Sequence, residues 1–170
     1  MRVPVTREQL INWWEAEFRT VTTEVMLTTA QMESGIGEGL YDAAAFRYEQ
    51  ALHERAKMAA LPGWLITLLN KLKLNPKEKR WYCSTGPFQI MGFNRPQLAE
   101  LYEQMTWETA TAAEVKDYVL SHMEDYDRFM ARLVKGHDSL RSAFRSYNGS
   151  GSKAEDYAER AMAIYRNLQT

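Results

Sequence analysis

Thr111-Ala112-Ala113-Glu114-Val115-Lys116-Asp117-Tyr118-Val119 opens the stretch that decides the fold. Thr with Glu three residues later is a capping box, in which each side chain satisfies a backbone N–H left over at a helix start. From Val115 the apolar residues recur at steps of three and four: Tyr118, Val119, Met123, Tyr126, Phe129, Met130 and Leu133. That spacing places them along one stripe of a long helix. Gly136 stops it.

The same grammar repeats on both sides. Thr6-Arg7-Glu8-Gln9 is a second capping box, opening a helix with Leu10, Ile11, Trp13, Trp14 and Phe18 on its apolar side. A second helix is expected over 21–32, through Val25, Met26 and Ala30, ending at Gly35. A third is expected over 43–59, through Phe46, Glu49, Leu52 and His53. Pro62 can start a short helix carrying Trp64, Leu65, Leu68 and Leu69. Residues 71–80 form a basic loop with Lys71, Lys73, Lys77, Lys79 and Arg80. Asn94 is read as the cap of a helix beginning at Pro96. Short and final helices are expected over 139–146 and 154–168. The run Phe88-Gln89-Ile90-Met91-Gly92-Phe93 is too short for periodicity to decide between helix and strand. Its helical surroundings favour a central buried helix. No segment alternates convincingly as a strand, so the reading is a mainly α, single-domain fold over 1–170 with little or no sheet.

Bulk properties bound the function. A chain of 170 residues is most simply one domain with a real core. A net charge of −1 gives no global pull toward nucleic acid. The longest apolar run, Trp64 to Leu69, is far short of the ~18 residues needed to span a membrane, so no membrane insertion is expected. Met1-Arg2-Val3-Pro4-Val5 has no apolar core, so no secretory signal is expected. One cysteine, Cys83, excludes an intrachain disulfide and is read as a small buried residue. His53, His122 and His137 are not spaced as metal ligands, and neither a metal nor a cofactor is expected.

Three places carry chemistry. Glu33 stands in the last turn of a helix, between Met32 and Ser34-Gly35. The negative end of the helix dipole and apolar neighbours both favour its protonated form, which a general acid needs near neutral pH. Gln89 is a lone amide in an apolar run and must find partners when buried, either backbone groups or a substrate amide or hydroxyl. Tyr147-Asn148-Gly149 opens a Gly/Ser loop, and is either helix-end packing or a sugar contact. Glu38, Asp42 and Glu49 are acids within sequence reach of Glu33 that can position water.

Together these motifs resemble the lysozyme superfamily that includes goose-type lysozymes and soluble lytic transglycosylases. In that group a Glu-Ser is followed by Gly-x-x-Gln and a Tyr-Asn motif. The chain is most similar to the N-acetylmuramidase family of phage endolysins and bacterial wall hydrolases. The resemblance covers roughly 21–168. It rests on Glu33-Ser34-Gly35, on Phe46-Arg47-Tyr48-Glu49, on the Gly86-Pro87-Phe88-Gln89-Ile90-Met91-Gly92-Phe93-Asn94 run, and on Tyr147-Asn148-Gly149 with Tyr157 and Tyr165 following. Pro87 departs from the aliphatic residue usual there. The resemblance implies Glu33 as general acid and Glu49 as a second acid. It implies Ser34, Gln89, Ile90, Met91, Tyr147 and Asn148 as substrate contacts. The implied partner is a peptidoglycan glycan strand, cut between N-acetylmuramic acid and N-acetylglucosamine by a monomer. Such a protein waits in the host cytoplasm before release to the wall, or travels on the virion. A lytic transglycosylase forming 1,6-anhydro ends and a non-catalytic structural or wall-binding module are the alternatives.

Overall fold

The structure is a computed structural model and describes residues 1–18 and 20–170. It is mainly α, with eight α-helices among the described residues and two small sheets. Strand β1 (Pro4–Thr6) leads into α1 (Arg7–Glu17), and the capping box forms: Gln9 N donates to Thr6 Oγ1 and Thr6 N to Gln9 Oε1. Helix α2 (Thr23–Ser34) is buried through Val25 to Ala30 and ends at Gly35. Strands β2 (Gly35–Gly37) and β3 (Leu40–Asp42) complete an antiparallel sheet in the order β1-β3-β2.

The helix expected over 43–59 is instead strand β4 (Phe46–Tyr48) followed by α3 (Gln50–Lys57). A partner from far along the chain overrides the local preference: Arg47 pairs with Ser84 of β5 (Cys83–Thr85), and Gly86 N donates to the Ala45 carbonyl. Strand alternation sets Phe46 and Tyr48 on one face, against Tyr102 and His53, and turns Arg47 to the other. His53 then pins the basic loop, lying 2.6 Å from the Tyr48 hydroxyl and 2.9 Å from the Lys77 carbonyl.

The central helix expected at Phe88–Phe93 is a hairpin. A turn over 86–89 joins β5 to β6 (Ile90–Met91), giving a second antiparallel sheet in the order β4-β5-β6. Pro87 suits the second position of that turn, which Gln89 N closes onto the Gly86 carbonyl at 3.1 Å. Burial holds at Phe88, Gly92 and Phe93, while Gln89, Ile90 and Met91 are only half-buried. Phe88 is wholly buried and stacks on Tyr126, ring centroids 4.4 Å apart.

Helix α4 (Gly63–Lys71) follows Pro62, and α5 (Pro96–Gln104) begins at Pro96. Arg95, not Asn94, occupies the cap position of α5, and no side chain caps it. Helix α6 (Ala112–Gly136) follows the reading from Thr111, with its capping box formed and Val115, Tyr118, Val119, Met123, Tyr126 and Met130 buried. Of the rest of the stripe, Leu133 is half-buried and Phe129 is 39% exposed. Helices α7 (Leu140–Asn148) and α8 (Ser152–Leu168) form a hairpin closing the main core against α2 and α6. A smaller core of Leu65, Leu69, Trp81, Tyr82, Phe93 and Ala99 lies beneath α4. Cys83 is buried within β5, as read, and burial pushes its thiol pKa up.

His122 fixes the hairpin turn. Its Nδ1 lies 3.0 Å from the Tyr118 carbonyl and its Nε2 3.2 Å from Thr85 Oγ1, and burial pushes its pKa down to about 4. The ring is therefore neutral, donating through Nδ1 and accepting the Thr85 hydroxyl proton at Nε2. Gly86 sits against it with a φ of +73°, and a Cβ there would lie 2.3 Å from the ring. Gly86→Ala should cost about 2–5 kcal/mol, combining left-handed strain with overpacking against a side chain that has no room to yield. Urea denaturation checks this, and a loss below about 1 kcal/mol would show that the turn relaxes freely.

Candidate functional site

Glu33 occupies the penultimate position of α2, where the dipole and the burial of that helix meet. Its carboxyl makes no ion pair among the described residues, and desolvation raises its pKa above the usual carboxylate range. Two groups pull the other way, the Tyr157 phenol and the positive charge of Arg47. Tyr157 comes within range of the carboxyl without completing a hydrogen bond, so its hydroxyl is a buried polar atom with no formed partner. The burial of Tyr157 and the charge of Glu33 push the phenol's own pKa upward. The result is an acid held mostly away from water, with one donor and one cation close at hand.

Glu33 opens on a cavity of about 340 Å³, lined also by Met32, Arg47, Asn148, Lys153, Asp156, Tyr157 and Arg160. Helix α2 supplies Met32 beside Glu33, strand β4 supplies Arg47, the end of α7 supplies Asn148, and one face of α8 supplies the rest. Lys153, Tyr157 and Arg160 follow the i, i+4, i+7 rule, so that face is polar and aromatic while Ala154, Ala158 and Ala161 pack inward. Gly149, with a φ of +116°, turns the chain between the two helices and brings both sides of the cavity together.

A second and larger cavity, about 550 Å³, holds Gln89, Ile90, Met91 and Tyr147. Tyr147 links the two: it lines this cavity, its neighbour Asn148 lines the other, and the Glu33 charge helps raise its pKa. The residues singled out from the sequence thus fall into two adjoining hollows, Glu33 and Asn148 in one and the Gln89 run with Tyr147 in the other.

Several expectations need correction. The Tyr147 hydroxyl does not point at a substrate position; it donates to the Phe88 carbonyl at 2.7 Å, because a largely buried phenol takes the nearest acceptor. The Gln89 amide accepts from Ser84 Oγ at 2.8 Å and donates to the Gly86 carbonyl at 3.1 Å, which leaves one N–H for a ligand. Ser34 is buried, and its hydroxyl donates back to the Ala30 carbonyl, so it lines neither cavity. Glu49 stands at the cap of α3, paired with Arg47 at 2.9 Å, and does not line the Glu33 cavity. Asp42 is structural: its Oδ1 accepts from Val3 N at 2.9 Å and Ala44 N at 3.0 Å.

Comparison with protein-family models, with curated proteins and with solved structures finds no match. The site is therefore read from its own chemistry. Among the described residues no three His, Cys, Asp or Glu side chains converge as a metal site, and no helix is long and apolar enough to cross a membrane. Arg47, Lys153, Asp156 and Arg160 are the polar residues of the Glu33 cavity for which sequence reasoning found no role. The α8 members were discoverable from their shared helical face. Arg47 was not, because its position depends on pairing with a strand 37 residues away.

Both modulators of Glu33 can be tested by titration. Tyr157→Phe and Arg47→Gln each remove a group that lowers the Glu33 pKa, so each should shift it further upward. Carboxyl carbon NMR follows this, with the resonance assigned by its loss in Glu33→Gln. A Glu33 titration at or below the ordinary 4.5, or one unmoved by either substitution, would contradict the desolvated site.

Proposed function

We propose that this protein is a peptidoglycan-cleaving N-acetylmuramidase in which Glu33 is the general acid. The observation that supports this best is the state of Glu33: unpaired, desolvated, raised in pKa, and open to a cavity ringed with hydrogen-bonding groups. A carboxyl in that state holds a proton at pH values where an exposed one has lost it, and can deliver it to a glycosidic oxygen. The motif resemblance around Glu33, Gln89 and Tyr147-Asn148 supplies the substrate class. In the reaction Glu33 protonates the bridging oxygen as the bond to the anomeric carbon breaks. The charge that grows on the ring is met by the carboxylate left behind. Water then adds at the anomeric carbon and returns a proton to Glu33. Arg47 and Tyr157 steady the carboxylate while it is charged, and Asn148, in the cavity lining, binds the sugar.

A second outcome is supported by the positions of the other acids. Glu49 is neutralised by Arg47 and Asp42 is engaged with backbone N–H groups, so neither is free to act as a nucleophile ~5 Å from Glu33, as covalent retention requires. Asp156 is the remaining acid in the cavity. If it does not position water, the sugar's own 6-hydroxyl can attack and leave an anhydro end, as in a lytic transglycosylase. Product mass separates the two, because the anhydro end is one water lighter.

Glu33→Gln preserves shape but not the transferable proton. It should lower cleavage of purified peptidoglycan by at least ~10²-fold with folding unchanged. Near-normal activity in the folded variant would remove Glu33 from this role. No cleavage by the unsubstituted protein would favour a non-catalytic wall-binding module.

A further inference from the structure

The larger cavity is more than an extension of the Glu33 pocket. One wall is α4, presenting Leu68 and Lys71; the other is α6, presenting Asp125, Phe129 and Arg132; the hairpin residues Gln89 to Met91 form the floor. Phe129 and Arg132 lie on one helical flank, and Lys71 faces them from the opposite wall. Two features of this groove face solvent, one of them the ring of Phe129, which also leans on Tyr147 with centroids 5.6 Å apart. Phe129 departs from its buried stripe to stay exposed at the rim, with the Arg132 guanidinium over its ring at 5.9 Å. Lys71 and Arg132 also have no acidic partner among the described residues, whereas Arg95 nearby is neutralised by Asp125 at 2.8 Å. The groove therefore carries two uncompensated cations above a floor of Ile90 and Met91, at one end of which Tyr147 adjoins the Glu33 cavity.

We propose that this groove is a binding site for a carboxylate-bearing substituent of the glycan strand, with Lys71 and Arg132 as the charge partners and Ile90, Met91 and Phe129 covering its alkyl part. This rests on the muramidase reading. Two groups on such a strand offer a carboxylate, the lactyl group of the sugar itself and the peptide stem that caps it. The geometry favours the stem. A volume of about 550 Å³ with an apolar floor fits several small amino-acid residues, while a lactyl carboxylate lies close to the ring and needs neither the depth nor the apolar surface. The cations stand on opposite walls, so a chain lying along the groove meets both. The protein would then prefer peptide-bearing strands over bare ones, through residues remote from the acid.

Binding by Glu33→Gln tests this without turnover. Three soluble probes are titrated by calorimetry: a GlcNAc-MurNAc tetrasaccharide carrying tetrapeptide stems, the same tetrasaccharide with free lactyl carboxylates, and chitotetraose, which has no carboxylate. The stem-bearing probe should bind tightest. Adding Lys71→Gln and Arg132→Gln, both at exposed positions, should weaken that probe on the order of tenfold and leave chitotetraose unchanged, the scale expected for two rim charges. Equal affinity for all three probes, or no effect of the double substitution, would overturn the site. An equal loss on the lactyl probe would overturn the stem assignment. Failure of the unsubstituted protein to shorten strands, with stem-selective binding intact, would count against the muramidase reading and not against the groove.

Discussion

Tyr126 is where the two cavities are held in place. Its ring is stacked by Phe88 of the hairpin and approached edge-on by Tyr147 of α7 at 5.9 Å. Its hydroxyl lies 2.8 Å from Thr29 Oγ1 and 3.2 Å from the Val25 carbonyl, both on α2. Three elements distant in sequence thus converge on one buried side chain of α6. The hydrogen bond from Tyr147 to the Phe88 carbonyl closes the same cluster from the far side. A buried phenol whose partners are all fixed is costly to displace, since any shift leaves polar groups unpaired in a dry core. Everything the site needs is referred to this cluster: the end of α2 that carries Glu33, the hairpin that floors the groove, and the α7 end that carries Asn148.

The state of Glu33 follows from its placement. Burial alone would leave a neutral carboxyl with no means of stabilising the charge it must hold after giving up its proton. Arg47 and Tyr157 supply that means without forming a closed ion pair, which would drive the pKa down and remove the acid. Arg47 also holds Glu49, and the sharing limits how much of its charge reaches Glu33. The balance is between desolvation, which dominates, and two weaker opposing contacts.

Helices were legible wherever a cap and an apolar stripe agreed. Both capping boxes form, α6 follows its stripe, and Glu33 sits in a last turn before Gly35 as its sequence context implied. The segments misread as helix, 43–49 and 88–93, hold strands β4 and β6, which flank β5. Strand β4 meets its partner some 37 residues on, which no local period can show, while β6 is a two-residue strand in a local hairpin, too short to show any period. The Gly86-Pro87 pair was the available signal, since that dipeptide marks a turn. Within the site, residue types were legible and orientations were not. Gln89 and Tyr147 line a cavity, but their polar atoms are spent largely on the protein, because a buried donor takes an internal acceptor when one is in reach. Tyr157 was visible as part of a motif, but its contact with Glu33 joins residues 124 positions apart and belongs to the packing of α8 on α2.

The central claim is that burial of Glu33 sets the acid that does the chemistry. It is tested most directly by the pH dependence of kcat/KM on soluble peptidoglycan fragments, which reports the acid of the free enzyme. The account predicts a descending alkaline limb with its midpoint above the ordinary carboxylate value of 4.5, displaced further upward in Tyr157→Phe. A limb at the ordinary value, or one that does not move with that substitution, would contradict it.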